Sequence, residues 1–166
     1  WFDNSEKTPF SRGQHISDAP DSLDVISMMY PAELAAFELV DMQTVHAKGT
    51  KVVYTISFDK IQKEYTEKVK EGTETGSFDT YLKSEMDKQI GYAGSFDGMI
   101  TEYKGNNPIY MSAEQKAEAK KYQDIFFSAV LTWKTANADK LLTFQGYPEN
   151  LIEQTILTNC KHIILA

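Results

Sequence analysis

The sequence lacks several residue patterns that mark common classes of protein, and each lack narrows the possible functions. Cys160 is the only cysteine among 166 residues, which excludes a disulfide framework. No segment approaches the roughly 18 to 20 consecutive apolar residues of a membrane-spanning helix. The three histidines are scattered, and no histidine or cysteine stands at the spacing of metal ligands. We therefore expect no bound metal and no other cofactor.

Basic residues are also scarce. Lysine and arginine number 17 against 24 aspartates and glutamates, so the formal net charge is −7. Binding to nucleic acid requires a basic surface that neutralises phosphates, and no run of lysine or arginine supplies one. The chain also lacks a Gly-x-Ser-x-Gly motif and a credible set of Ser, His and Asp. These lacks favour a neutral or polar ligand over a nucleic acid.

The chain does contain apolar runs typical of strands, and they alternate with longer helical patterns. With 42% hydrophobic residues, its length suits one domain over residues 1–166. Pro31 is placed for a first helical position, Gly49 for a helix stop and Ser112 for a helix cap. We predict strands over 24–30, 50–58, 96–103, 141–146 and 162–165, and helices over 31–47, 60–71, 77–93, 112–136 and 149–158.

Strands that alternate with helices in this way predict a parallel sheet with right-handed crossovers. A doubly wound sheet would fit the alternation, but no glycine-rich phosphate loop follows any strand, and Gly94 and Gly98 do not make the dinucleotide fingerprint. We therefore predict an α/β fold, a (β/α)8 TIM barrel. The chain begins without methionine and stops within an apolar run, so we expect a partial barrel of about strands one to six.

The strand near residues 95–104 is the most informative segment for function. It carries Glu102 toward its C-terminal end, where the chemistry of a parallel barrel takes place. Tyrosines and a glutamine, which are common in small-molecule sites, follow other strands near the same predicted ends. Ordinary packing inside the barrel is the competing interpretation for each of them. The candidate ligand contacts are Glu102, Tyr30, Tyr54, Tyr103, Gln145 and Tyr147, of which Gln145 and Tyr147 are preferred.

The order and spacing of several segments resemble family 18 of the glycoside hydrolases, which comprises chitinases and endo-β-N-acetylglucosaminidases. The resemblance is strongest to the group from Bacteroides-type gut bacteria. It covers most of the chain, from the family's first barrel strand to the helix after its fifth strand. It is carried by Trp-Phe-Asp-Asn at 1–4, Pro-Asp-Ser-Leu-Asp-Val-Ile-Ser at 20–27, Lys-Gly-Thr-Lys-Val-Val at 48–53, Phe-Asp-Gly at 96–98 and the segment 142–151.

On its catalytic strand this family carries Asp-Gly-x-Asp-x-Asp-x-Glu. The resemblance implies that the Glu protonates the glycosidic oxygen, while the third Asp orients the substrate's own acetamido group, which acts as nucleophile. Aligned on Asp97 and Gly98, this chain has Ile100 at the second Asp, Glu102 at the third Asp and Lys104 at the proton donor. We therefore assign no catalytic residue, and expect Asp97 to brace the strand rather than touch ligand.

A lysine with an ordinary pKa is poorly matched to protonating a leaving alkoxide. The resemblance therefore implies a glycan-binding protein that has lost hydrolysis and binds N-acetylglucosamine-containing glycans during carbohydrate uptake. Two alternatives stay open: an active chitinase or endo-β-N-acetylglucosaminidase with its acid at an unusual position, and a scaffold without ligand. For Glu102 itself, an ion pair with Lys104 and hydrogen bonding to ligand are both open.

The resemblance also implies a location and a partner. Family 18 proteins of this group suggest an outer-membrane lipoprotein at the cell surface, or a periplasmic protein. The expected ligand is an oligosaccharide or N-glycan. A partial parallel barrel has two unpaired sheet edges, which are poorly suited to water. We therefore expect the remaining strands to come from a second chain or segment.

Overall fold

The computed structural model describes residues 1–166 and contains a five-stranded sheet. Its strands follow one another in the order β1-β2-β3-β4-β5. Parallel register joins Ile26 to Val52 at one end of the sheet and Phe144 to Ile163 at the other. The strands are β1 (Val25–Met28), β2 (Lys51–Ser57), β3 (Gly98–Tyr103), β4 (Leu141–Gly146) and β5 (His162–Leu165).

The strand order decides between the two parallel architectures. A doubly wound sheet reverses its order at a switch point, whereas here each strand is the neighbour of the next one in the chain. Phe2 adds a parallel bridge to Met28, at the segment predicted as the family's first strand. The fold is therefore a partial (β/α) barrel, as the sequence predicts.

Five α-helices connect or follow the strands, and serine side chains begin two of them. The Ser57 hydroxyl accepts from the backbone N–H of Lys60, and Ser112 forms a capping box with Gln115, as predicted for that cap. The helices are α1 (Ala36–Ala47), α2 (Phe58–Lys70), α3 (Phe78–Gly91), α4 (Ala113–Ala136) and α5 (Thr155–Asn159). None of them is long and apolar enough to cross a membrane.

Two helix boundaries differ from the predicted ones. Helix α1 begins at Ala36 and not at Pro31, because the Glu38 side chain accepts from the backbone N–H of Ala35 and fixes the start there. The predicted 149–158 helix is split into a short 3-10 turn at Pro148–Asn150 and the separate helix α5. Gly49 does follow the end of α1, with φ 91°, as its predicted role requires.

The chain divides into two compact units with separate cores. The first unit comprises 1–55 and 92–99, and the second comprises 56–91 and 100–166. The first core contains Met28, Val45, Val52, Tyr54 and Phe96, all buried. The second core is strongly aromatic, and its rings pack edge to face or tilted at centroid distances of 4.9 to 5.9 Å around Phe58, Phe78, Tyr103, Phe126 and Phe127.

One buried hydroxyl in the second unit has no hydrogen-bond partner. Thr101 is fully buried on β3, and its Oγ1 is unpaired. A buried hydroxyl without a partner costs more than an apolar group of the same shape. We expect Thr101→Val to raise the free energy of unfolding by about 1 kcal/mol, measured by chemical denaturation.

Thr50→Val is the matched control for that substitution. Thr50 is equally buried, but its hydroxyl donates to the carbonyl oxygen of Leu23 at 2.7 Å. Losing this bond is expected to lower the free energy of unfolding by about 1 kcal/mol. If both substitutions lowered the free energy of unfolding equally, the Thr101 hydroxyl would be hydrogen-bonded like that of Thr50, and the prediction would be wrong.

The single cysteine is poorly reactive according to its surroundings. Burial raises the pKa of the Cys160 thiol to about 11, against a weaker lowering effect of Lys134. The thiolate, which is the reactive form, is therefore scarce until the pH approaches that value. We expect iodoacetamide at pH 8 to alkylate the native protein about a hundredfold more slowly than the denatured chain. Mass spectrometry measures the two alkylation rates. Equal rates for the native and denatured protein would show that the Cys160 thiol is exposed and ordinary.

Candidate functional site

The C-terminal end of β3 brings together three polar side chains of the second unit. Glu102 Oε1 lies 3.5 Å from Lys104 Nζ and accepts a hydrogen bond from Gln145 Nε2 at 3.2 Å. The Glu102 side chain is 16% exposed, whereas that of Lys104 is 50% exposed. Lys104 is therefore the solvent-facing partner of a half-enclosed carboxylate.

The backbone around Lys104 is fixed from two sides. Its N–H donates to Asp59 Oδ2 at 2.9 Å, and its carbonyl oxygen accepts from Asn150 Nδ2 at 2.6 Å. Asp59 lies in the first turn of α2, and Asn150 ends the short turn after β4. The end of β3 is thus held by the elements that follow its two neighbouring strands.

Gly146 permits the close approach of β4 to β3 in this region. Its φ is 144°, and a Cβ there would overlap the carbonyl oxygen of Tyr103. The residue before it, Gln145, is the one that reaches Glu102. The absent side chain at 146 therefore places the Gln145 amide against the carboxylate.

Gln145 offers an unused hydrogen-bond acceptor. Its Oε1 is buried and has no partner, while its Nε2 donates to Glu102. Buried polar atoms are normally paired, and an unpaired one marks a place where a water or ligand donor fits. The arrangement can accept a hydrogen bond from an O–H or N–H group, which is suited to a polyhydroxylated ligand.

The three side chains at this strand end comprise one carboxylate, one ammonium and one amide. The group at the solvent-facing position is the ammonium of Lys104, which is poorly matched to protonating an alkoxide. Ile100, two residues before Glu102 on the same face of the strand, is buried and contributes no second carboxylate. No second carboxylate therefore stands at position 100 or 104 beside Glu102.

Sequence comparison places the whole chain in a known family. The family model described as glycoside hydrolase family 18, BT1044-like, matches residues 1–166. The chain belongs to glycoside hydrolase family 18. No curated protein matches it.

Two solved structures share the fold of this family 18 chain. The first is a structure of BT1044, with a TM-score of 0.60 and 16% identity, covering 99% of this chain and 55% of the other. The second is an endo-beta-N-acetylglucosaminidase from Cordyceps militaris in apo form, with a TM-score of 0.59 and 16% identity, covering 99% and 54%. The chain therefore spans about half the length of these two structures.

Asp97, which aligns with the first residue of the family 18 motif, contacts two other elements of the first unit. Its Oδ2 accepts from the backbone N–H of Val52 at 2.7 Å and lies 2.6 Å from His46 Nε2. Its own backbone N–H donates to the Val52 carbonyl oxygen. Asp97 thus braces β2 and the C-terminal end of α1 within the first unit through its Oδ2 atom.

Two of the predicted ligand contacts lie inside the aromatic cores. Tyr54 is fully buried against Phe96 and Tyr92 in the first unit, and burial raises its pKa. Tyr103 is buried in the second unit, where its hydroxyl accepts from Gln123 Nε2 at 3.0 Å. Burial raises the pKa of Tyr103 as well, against the effect of that hydrogen bond. Both tyrosines are therefore less exposed than the other two tyrosines predicted as ligand contacts.

The other two predicted tyrosines are exposed. Tyr147 follows β4 directly in the second unit, two residues after Gln145, and Tyr30 follows β1 in the first unit. Exposed aromatic rings and unpaired polar atoms are both usual components of a small polar ligand site. In the second unit, Glu102, Gln145 and Tyr147 thus lie on two adjacent strand ends.

Sequence reasoning missed the group that fixes Tyr30. The buried Asn4 side chain accepts from the Tyr30 N–H at 2.8 Å and donates to its carbonyl oxygen at 2.9 Å. Asn4 also donates to Glu38, which in turn binds Lys7 and the N–H of Ala35. The Asn4 side chain thus pairs with both backbone groups of Tyr30, as a residue of a neighbouring strand would. The two partners of Asn4, Tyr30 and Glu38, lie 26 and 34 residues away in the chain. No local sequence pattern therefore predicts these hydrogen bonds.

Proposed function

We propose that this family 18 chain is a glycan-binding protein that does not hydrolyse its ligand, and that it binds N-acetylglucosamine-containing glycans in carbohydrate uptake. The observation that carries the proposal is the Lys104–Glu102 pair at the end of β3. It occupies the two positions where the family's motif has an aspartate and the protonating glutamate. General acid catalysis contributes typically ~10²–10⁴-fold, and its loss removes useful turnover.

Binding is supported by groups that an empty scaffold would not need. Gln145 has a buried acceptor without a partner, and Tyr147 presents an exposed ring two residues later. Sugar hydroxyls or an acetamido N–H would satisfy the amide oxygen, while the ring would cover an apolar sugar face. A scaffold without ligand leaves both groups unexplained.

An active endo-β-N-acetylglucosaminidase or chitinase is the second candidate. It is favoured by Glu102, a half-enclosed carboxylate at the catalytic end of the strand. In this alternative Glu102 itself donates the proton in substrate-assisted cleavage of a β-1,4 bond. The two relatives of known structure are about twice as long as this chain.

Incubation with chitin oligosaccharides and high-mannose N-glycans distinguishes the two candidates. We expect no cleavage products from the wild-type protein by mass spectrometry, although the same glycans bind. Products that appear with wild type and vanish with Glu102→Gln would establish the enzymatic alternative. Failure of every glycan on an array to bind would favour the scaffold.

The location and the partners follow from the same proposal. We place the protein at the cell surface as an outer-membrane lipoprotein, or in the periplasm, where uptake of glycans begins. All four residues of β5 are exposed, and an apolar strand edge in water invites pairing. A further segment or a second chain would complete the barrel there. Light scattering that shows a stable monomer at high concentration would count against a second chain.

A further inference from the structure

A cavity of the second unit lies next to the C-terminal end of β3, where Tyr103 and Gly105 line it. It has a volume of about 470 Å³ and is bounded by the first turns of α2, the loop 105–111 and the first turns of α4. None of the residues of the Lys104–Glu102–Gln145 cluster lines it. Cavities of this size suit small ligands.

The loop that forms one wall is fixed before any ligand arrives. Gly105 has φ 49°, and a Cβ there would lie 2.5 Å from Cε1 of Tyr103. The Asn107 side chain accepts from the N–H of Ile109 at 3.0 Å, and Asn150 donates to the carbonyl oxygen of Gly105 at 3.2 Å. A wall built from such internal contacts makes a cavity that is already formed.

The lining chemistry is that of a site for a neutral, hydroxyl-rich molecule. Amides and phenols predominate, and Glu118 is the one charged side chain in the lining. Its Oε1 already accepts from the hydroxyl of Tyr122 at 3.2 Å. Amides both donate to and accept from hydroxyl groups, whereas an anion would meet a carboxylate and no cation. The amide residues are Gln62, Asn106, Asn107 and Gln115.

Tyr110 supplies the exposed aromatic surface at the rim. It is 87% exposed, and its neighbour Ile109 is 79% exposed, but only Tyr110 lines the cavity. An exposed ring that shares a lining with amide groups is suited to cover the apolar face of a sugar. We propose that this cavity is a second carbohydrate site, which binds one or two residues of a neutral oligosaccharide independently of the Glu102 cluster.

The methyl group of Met111, which lines the cavity, provides a direct probe. We expect N,N′-diacetylchitobiose or mannobiose to shift the ¹³C-methyl signal of Met111 saturably in the whole chain, while the buried Met99 on β3 is unaffected. Tyr110→Ala should weaken this binding about tenfold. Ile109→Ala, equally exposed but outside the lining, should leave it within about twofold.

Several outcomes would overturn the second site. They are the absence of a Met111 shift with both sugars, an equal loss in Ile109→Ala and Tyr110→Ala, and a shift of the same size with inorganic phosphate. Gln145→Met separates this site from the first one, because it should leave the Met111 titration unchanged. A Met111 titration lost in Gln145→Met would mean that the cavity is not an independent site.

Discussion

Gly146→Ala is expected to lower the free energy of unfolding by about 3 kcal/mol or more. The reason is twofold: φ is 144° at this residue, and the added Cβ would overlap the backbone carbonyl of Tyr103. A backbone atom cannot rotate away as a side chain can, so β3 and β4 would have to separate. Chemical denaturation followed by circular dichroism measures the loss.

Gly91→Ala is the matched control for this prediction. Gly91 ends α3, and a Cβ there meets nothing within 4 Å. Alanine is a better helix former than glycine, so the control should be neutral or more stable by up to about 1 kcal/mol. If Gly146→Ala were as well tolerated as Gly91→Ala, β4 would not approach β3 as closely at Gly146 as described. The position of the Gln145 amide against Glu102 would then not depend on glycine at position 146.

Lys104→Glu is expected to raise glycan cleavage by about 10² or more over the wild-type background. The substitution restores a carboxyl group at the proton-donor position of the family motif, with Glu102 kept at the third Asp position, and general acids are worth ~10²–10⁴-fold. The lost ion pair has a half-exposed lysine and such pairs contribute little, but the new carboxylate would repel Glu102 at neutral pH, so we expect Lys104→Glu to be less stable than Lys104→Gln. Product formation from chitin oligosaccharides is the measurement.

Lys104→Gln distinguishes the effect of adding a carboxylic acid from the effect of removing the lysine. It removes the ammonium and keeps a polar side chain, but it cannot donate a catalytic proton, so no gain is expected. If Lys104→Gln and Lys104→Glu gained equally, the ammonium would be an inhibitory contact rather than a misplaced acid. If wild type already cleaved at the rate of Lys104→Glu, the donor would be elsewhere.

Much of the fold is predictable because its signals are local. Runs such as Val52 to Ile56, the Ser112 cap and the Gly49 stop each depend on a few neighbouring residues, and all three are found where the sequence predicts them. The Lys104–Glu102 pair is predictable for the same reason, since residues two apart on a strand share a face.

The errors come from contacts between distant residues and from the choice of strand face. Pro31 fits a helix start by type, but Glu38 sets the start of α1 at Ala36. Glu102 and Tyr103 are adjacent on one strand and therefore point to opposite faces. Alternation alone therefore separates Tyr103 from the face that carries Glu102. Asn4 and the 105–111 cavity depend on tertiary contacts that no local pattern reveals.

The most direct measurement is a calorimetric titration with tetra-N-acetylchitotetraose, followed by mass spectrometry of the ligand recovered from the same cell. Wild type should bind it and return it intact, and Gln145→Met, which removes the unpaired acceptor, should bind about tenfold more weakly. Recovery of shortened sugars from the wild-type sample would contradict the proposed function, as would the absence of binding.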